Sequence, residues 1–146
     1  MKPRATDLTL EAFRCALDET RRLSHASVRA EHILLGLLQL ADGTASAALD
    51  ACGVERAVVT RRLRESLPSA ETTPHEGEYP YHPSGVTVLR KLTFPESEAG
   101  TITSGRVLLV ILGLEDDEVV TGAFASAGVD VSALVARLAD DPQESE

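Results

Sequence analysis

The 146 residues carry 14 basic and 23 acidic side chains, a formal charge of −9. Hydrophobic residues make up 43%, enough for one core, and with 3% aromatics and no Trp that core must come from Leu, Val, Ala and Ile. This length predicts one domain, the acidic balance argues against nucleic acid, and no apolar run reaches the roughly 18–20 residues of a membrane span.

Residues 1–7 lack the apolar stretch of a signal peptide. Over residues 6–23, Leu10, Phe13, Leu17, Thr20 and Leu23 recur at helical spacing and predict a buried stripe. Thr6 is the expected N-cap, with Asp7 in the first turn. Ser24-His25-Ala26-Ser27 breaks the pattern. Residues 31–40 are apolar on nearly every face, the mark of a central helix. A turn at Asp42-Gly43-Thr44 precedes a short helix over 45–51, closed by Gly53. Residues 55–67 read as an amphipathic helix with Val58, Val59, Leu63 and Leu67 inward and Arg56, Arg61, Arg62 and Arg64 on a solvated face. Pro68 stops it.

Residues 68–80 hold three prolines and one glycine and read as a linker. A helix is predicted over 84–94, ended by Pro95, and 96–100 is irregular. Beyond it the first half recurs. Residues 106–112 align with 32–38, residues 124–129 with 49–54, and residues 131–138 with 56–63, an offset of about 74–75 positions. A repeat of that length is a multi-helix unit, so two similar bundles are expected. The acidic residues 141–146 read as a frayed tail.

Several chemistries lack their residues. Only Lys2 and Lys91 are lysines, and neither lies in the Gly-Lys-Ser/Thr setting of a phosphate-binding loop. His25, His32 and Cys52 match no zinc spacing. Ser24, His25 and Asp18 lack a nucleophile elbow. Cys15 and Cys52 sit in apolar-periodic segments and read as buried reduced thiols of a cytoplasmic protein. No catalytic residue, metal or cofactor is expected.

The run Arg21-Arg-Leu-Ser-His25, then Glu31-His-Ile-Leu-Leu-Gly-Leu37, then Ala48-Leu-Asp-Ala-Cys-Gly-Val54, resembles the amino-terminal repeat of Clp/Hsp100 unfoldases. Residues 81–138 resemble the second repeat of the same domain. The resemblance implies an all-α fold of two tandem four-helix repeats with pseudo-twofold symmetry, repeat one over about 5–67 and repeat two over about 81–140. It implies a non-catalytic module, without fused ATPase modules, that binds Clp adaptors, degradation-tagged substrates or peptides. Some such domains bind phosphoarginine through the Glu of a Thr-Glu-His motif in each repeat. A motorless copy in a high-GC bacterium would also suit a decoy that sequesters cyclic-peptide antibiotics. A regulator with a small-molecule pocket between the repeats, or an uncharacterised enzyme, is the alternative of another class.

Carried over position by position, Glu31 is the ligand carboxylate of repeat one, preceded by Arg29 and Ala30 where the family has Gly-Thr. In repeat two Gly105-Arg106 replaces Glu-His, so one carboxylate is lost. Arg106 would attract a phosphate and repel a guanidinium. Tyr79 and Tyr81, flanking Pro80, are candidates for a peptide-binding lip. A first-turn acid favoured by the helix dipole is the competing reading of Glu31, and a packed, hydrogen-bonded histidine is the reading of His32. A monomer is expected.

Overall fold

A computed structural model describes residues 4–67, 80–93, 101–114 and 118–140. These residues form eight helices: α1 (Asp7–Arg22), α2 (Ala30–Leu38), α3 (Thr44–Ala51), α4 (Arg56–Ser66), α5 (Pro83–Thr93), α6 (Ser104–Leu112), α7 (Glu118–Ser126) and α8 (Val131–Asp140). Two short segments, β1 (Arg4–Ala5) and β2 (Thr101–Ile102), pair in parallel. The fold is all-α, four helices to each repeat. Of the proposed linker over 68–80, residues 68–79 lie outside the described residues, as does the tail over 141–146.

Helix α1 starts where the sequence predicts. The Thr6 hydroxyl accepts from the Thr9 amide, Asp7 lies in the first turn, and Arg21 and Arg22 lie in the last, each suited to its end of the helix dipole. It stops at Ser24, whose φ of 57° is left-handed, while the His25 amide closes back on the Thr20 carbonyl.

Of the five positions read at helical spacing on α1, Thr20 is buried and Phe13, Leu17 and Leu23 pack against the core, but the most deeply buried face runs through other, mostly smaller residues. Thr9, Ala12, Ala16, Glu19 and Thr20 face inward, whereas Leu10 is 56% exposed. The cause lies on α2. A Cβ on Gly36 would collide with the Ala12 carbonyl oxygen and crowd the Ala16 amide. The two backbones therefore cross in contact, and only small residues fit beneath α1.

Every residue of α2 is buried. This helix packs against α1, α3, α4, α5 and α6, as its nearly uniform apolarity predicts. Its counterpart α6 buries Val107, Leu108 and Ile111, and α7 and α8 add Phe124 and Leu134. Helix α4 packs on α7 and α3 on α8, crosswise between the repeats.

The same crosswise logic sets the helix heads. The segment before α1 pairs with the segment before α6, Ala5 against Ile102. The segment before α5 pairs with the segment before α2, Tyr81 against Val28. The Thr6 amide donates to the Ile102 carbonyl at 3.1 Å, and the His82 amide donates to the Val28 carbonyl at 2.9 Å. Each repeat thus lends its leading strand to the other, as a pseudo-twofold axis requires.

Two arginines of the expected solvated face serve other ends. Arg56 donates to the Leu40 carbonyl at 2.6 Å and to Asp50 at 2.7 Å, tying α4 to the turn between α2 and α3. Arg64 reaches the buried Glu19 of α1, which Arg22 also meets at 3.2 Å. Cys15 and Cys52 are free but only half-buried. Burial, aided by the nearby Glu11 carboxylate, raises the Cys15 thiol above its ordinary pKa. Among the described residues no single helix is long and apolar enough to cross a membrane.

Candidate functional site

The crosswise pairing creates two equivalent corners, each joining two helix heads. In the first, the heads of α2 and α5 meet. The Val28 amide donates to the Pro80 carbonyl at 2.9 Å, and the Ala30 amide, in the first turn of α2, donates to the Ser84 hydroxyl of α5 at 3.1 Å. Gly85 is required here, because a Cβ would lie 2.6 Å from the Val28 carbonyl oxygen.

Three of the five sequence-predicted site residues belong to this corner. Glu31 stands in the first turn of α2 and is 7% exposed. Arg29 is the N-cap residue of α2, and its guanidinium lies 3.4 Å from His82 Nε2. Tyr81 is 37% exposed beside Val28, and the burial of its ring raises its hydroxyl pKa. Tyr79 lies outside the described residues.

Arg106 does not join them. It sits half-buried at the head of α6, in the second corner. The sequence set is therefore split between two equivalent corners.

His82 and Ser84 complete the first corner, and sequence reasoning passed over both. His82 Nδ1 lies 3.0 Å from the Ser84 hydroxyl. A signal existed: His-Pro-Ser ahead of an amphipathic run is a helix head, with Pro in the first turn. The corner presents one buried carboxylate, one guanidinium, one imidazole, the Ser84 and Tyr81 hydroxyls and two helix starts. A carboxylate takes a guanidinium bidentately, and helix starts favour anions.

Beneath Glu31 lies a buried imidazole pair. His32 Nδ1 accepts the Arg29 amide at 2.8 Å, and His32 Nε2 lies 2.7 Å from His25 Nδ1. His25 is 1% exposed and His32 0%. The packed, hydrogen-bonded reading of His32 holds, and His25 shares it.

At the second corner, where the heads of α6 and α1 meet, the head of α6 is also closed by the head of α3. The Gly105 amide donates to the Thr44 hydroxyl at 2.8 Å, and the Ala45 amide donates to the Ser104 hydroxyl at 3.2 Å. A Cβ on Gly105 would stand 2.5 Å from the Thr44 hydroxyl oxygen. The position equivalent to Glu31 thus has no carboxylate and no room for one. The α6 head is capped conventionally, the Thr103 hydroxyl accepting from the Arg106 amide at 3.1 Å.

The family model of the Clp repeat (R) N-terminal domain matches residues 4–119. The N-terminal domain of Hsp104 from Candida albicans superposes with a TM-score of 0.74 at 15% identity, over 97% of this chain and 94% of that one. The N-terminal domain of the caseinolytic protease-associated chaperone ClpD from Arabidopsis thaliana gives 0.65 at 16% identity, over 94% and 93%. A structure reported with the ATPase ClpV, the TssB–TssC sheath and the accessory HsiE protein of type VI secretion gives 0.64 at 20% identity, over 94% and 87%.

Proposed function

The chain belongs to the Clp repeat N-terminal domain family, non-catalytic protein-interaction modules of Clp chaperones, and from that premise we propose that its first corner is the ligand site. The ligand we infer is an arginine-bearing, phosphate-tagged segment of a substrate or adaptor, with Glu31 taking the guanidinium. The observation that supports this is the placement of one buried carboxylate at the junction of two helix heads, with its counterpart in repeat two replaced by a glycine packed on Thr44.

The reading makes the protein a one-site binder. Free phosphoarginine in a calorimeter tests it. One site per chain is expected, and Glu31→Ala removes it. Losing a charge-assisted pair costs about 1.5–3 kcal/mol, roughly 10- to 150-fold in affinity. Two equivalent sites, or one site indifferent to Glu31→Ala, overturns the reading.

A second reading rests on exposure. Leu10 is 56% exposed on α1 and Val86 39% exposed on α5, equivalent positions in the two repeats. With Tyr81 they offer apolar contacts for a peptide chain, including a cyclic-peptide antibiotic that this domain would sequester. We place this activity in the cytoplasm. Binding of a Clp-directed cyclic peptide, lost on Val86→Ser or Tyr81→Ser, tests it, and no binding at high micromolar concentration ends it.

A further inference from the structure

Two hydrogen bonds leave the buried imidazole pair only one arrangement. The Arg29 N–H points at His32 Nδ1 over 2.8 Å. His32 Nδ1 must therefore hold a lone pair, and the ring proton sits on Nε2. That proton is donated across 2.7 Å to His25 Nδ1, which must hold a lone pair in turn, with its own proton on Nε2. These assignments follow from the hydrogen-bond network. Both rings are then neutral, and an added proton has no seat that keeps both bonds. On His32 Nδ1 it evicts the Arg29 amide. On His25 Nδ1 it sets two N–H groups face to face.

The Arg29 bond matters because α2 has no ordinary N-cap. Arg29 occupies the cap position and its side chain has no acceptor atom. Reciprocal capping from His32, with the Ser84 hydroxyl on the Ala30 amide, holds the first turn that carries Glu31. Helix α6 relies instead on the Thr103 hydroxyl, which does not titrate.

We propose that His25 and His32 form an acid-sensitive latch on the head of α2. Neutral, the pair fixes the first turn and the Glu31 carboxylate. Protonation opens that turn and leaves the head of α6 closed. The direction follows from linkage: the closed form accepts fewer protons than the open one, so acid favours the open one.

The charged and titratable groups on the elements packed around the pair include the buried Glu19 and its partner Arg22 on α1, Arg29 and Glu31 on α2, Arg64 on α4 and His82 at the head of α5; α1 also carries Asp7, Glu11, Arg14, Cys15, Asp18 and Arg21, α4 Arg56, Arg61, Arg62 and Glu65, and α5 Arg90 and Lys91. On α3, Asp50 is bound to Arg56, and on α6 Arg106 stands in the second corner. The test leaves all of them in place and changes one imidazole.

Amide hydrogen exchange of the full chain, corrected for intrinsic rates, is compared between about pH 7.5 and about pH 5.5. Exchange at residues 29–33 is expected to accelerate at least tenfold on acidification, with residues 104–107 unchanged. In His32→Asn, whose Oδ1 replaces Nδ1 as acceptor of the Arg29 amide, that response disappears. Should His32→Asn fail to fold, long-range proton–nitrogen spectra of the wild type decide: both rings protonated on Nε2 alone while the turn is closed. Equal acceleration in both repeats, no acceleration before global unfolding, or charged imidazoles beneath a protected turn each overturn the latch. The consequence for ligand rests on the Glu31 reading, but this readout uses no ligand, so either can fail alone.

Discussion

The Gly105 amide donates to the Thr44 hydroxyl at 2.8 Å, a bond between repeats that spans 61 positions of chain. With the Ser104 hydroxyl accepting from Ala45 in return, it caps two helix heads with each other's side chains. The same bond fills the volume that a ligand carboxylate would need. The glycine at 105 and the threonine at 44 therefore form one packing unit.

This arrangement predicts strong coupling between the two positions. Gly105→Ala places a Cβ 2.5 Å from the Thr44 oxygen, and overpacking of this kind costs about 1–3 kcal/mol. In a Thr44→Ala background the clash is gone, so the added cost of Gly105→Ala shrinks. Urea denaturation of the four proteins in a double-mutant cycle checks this. Additive losses would mean that the two residues do not share the space.

The α1–α2 crossing gives a second prediction. Gly36→Ala drives a methyl group into the Ala12 carbonyl, a backbone atom that cannot rotate away. A loss at or above the upper end of the usual range, about 3 kcal/mol, is expected. Thermal unfolding measures it, and a loss below 1 kcal/mol would show that the helices separate cheaply.

How much of this was legible in the sequence depended on whether a residue's partner was local. The N-cap at Thr6 and the apolar α2 need only local spacing, the repeat needs only self-similarity of the chain, and all are present in the fold. On α1 only Leu10 of the five spaced positions is exposed; periodicity marks the larger side chains, while the crossing at Gly36 buries Ala12 and Ala16 instead. The missed Arg56 and Arg64 contacts have acceptors 16 and 45 positions away, beyond any helix-face argument. At the candidate corner, the place of Glu31 at the start of α2 was legible from its motif and that of Tyr81 from its flanking proline. His82 and Ser84 were not, because their importance comes from the strand exchange that carries α5 to the head of α2.

The carboxylate of Glu19 supplies a third prediction. Its side chain is 1% exposed, whereas those of Arg22 and Arg64 are 62% and 38% exposed. Removing one arginine leaves the buried charge with only the other arginine and Gln39 as partners, and removing the glutamate frees two cations that water already reaches. Arg64 crosses from another helix, so Arg64→Ala is expected to destabilise by about 1.5–3 kcal/mol, more than Arg22→Ala. Equal, small effects in chemical denaturation would reduce the cluster to a surface ion pair.

Cys15 offers a pH prediction with a fixed sign. Burial and the neighbouring Glu11 carboxylate raise its thiol pKa, so less thiolate exists at neutral pH than in a free cysteine. Alkylation by iodoacetamide should be slow at about pH 7.5 and accelerate as pH rises past the ordinary thiol range of about 8.5. Peptide mapping of the modified protein follows Cys15 by itself. A rate at neutral pH equal to that of a free thiol would contradict the shielded setting.

The last prediction separates the two apolar positions. Leu10 and Val86 occupy equivalent places, both exposed, so replacing either with Ser should shift stability by no more than about 0.5 kcal/mol. Their effects on ligand should differ. Val86 lies on α5, which shares its corner with Tyr81, Ser84 and the head of α2 bearing Glu31. Leu10 lies on α1, whose head meets α6, where Gly105 is packed on Thr44. A peptide anchored at the first corner therefore passes Val86 and not Leu10. Val86→Ser should weaken binding of an arginine-phosphorylated peptide by about fivefold or more, the worth of one partly buried apolar side chain. Leu10→Ser should leave it unchanged. Fluorescence polarisation with one labelled peptide decides between the outcomes. Equal losses in the two variants would mean that the ligand bridges both corners, and that the closure of the second corner by Thr44 does not make the protein a one-site binder.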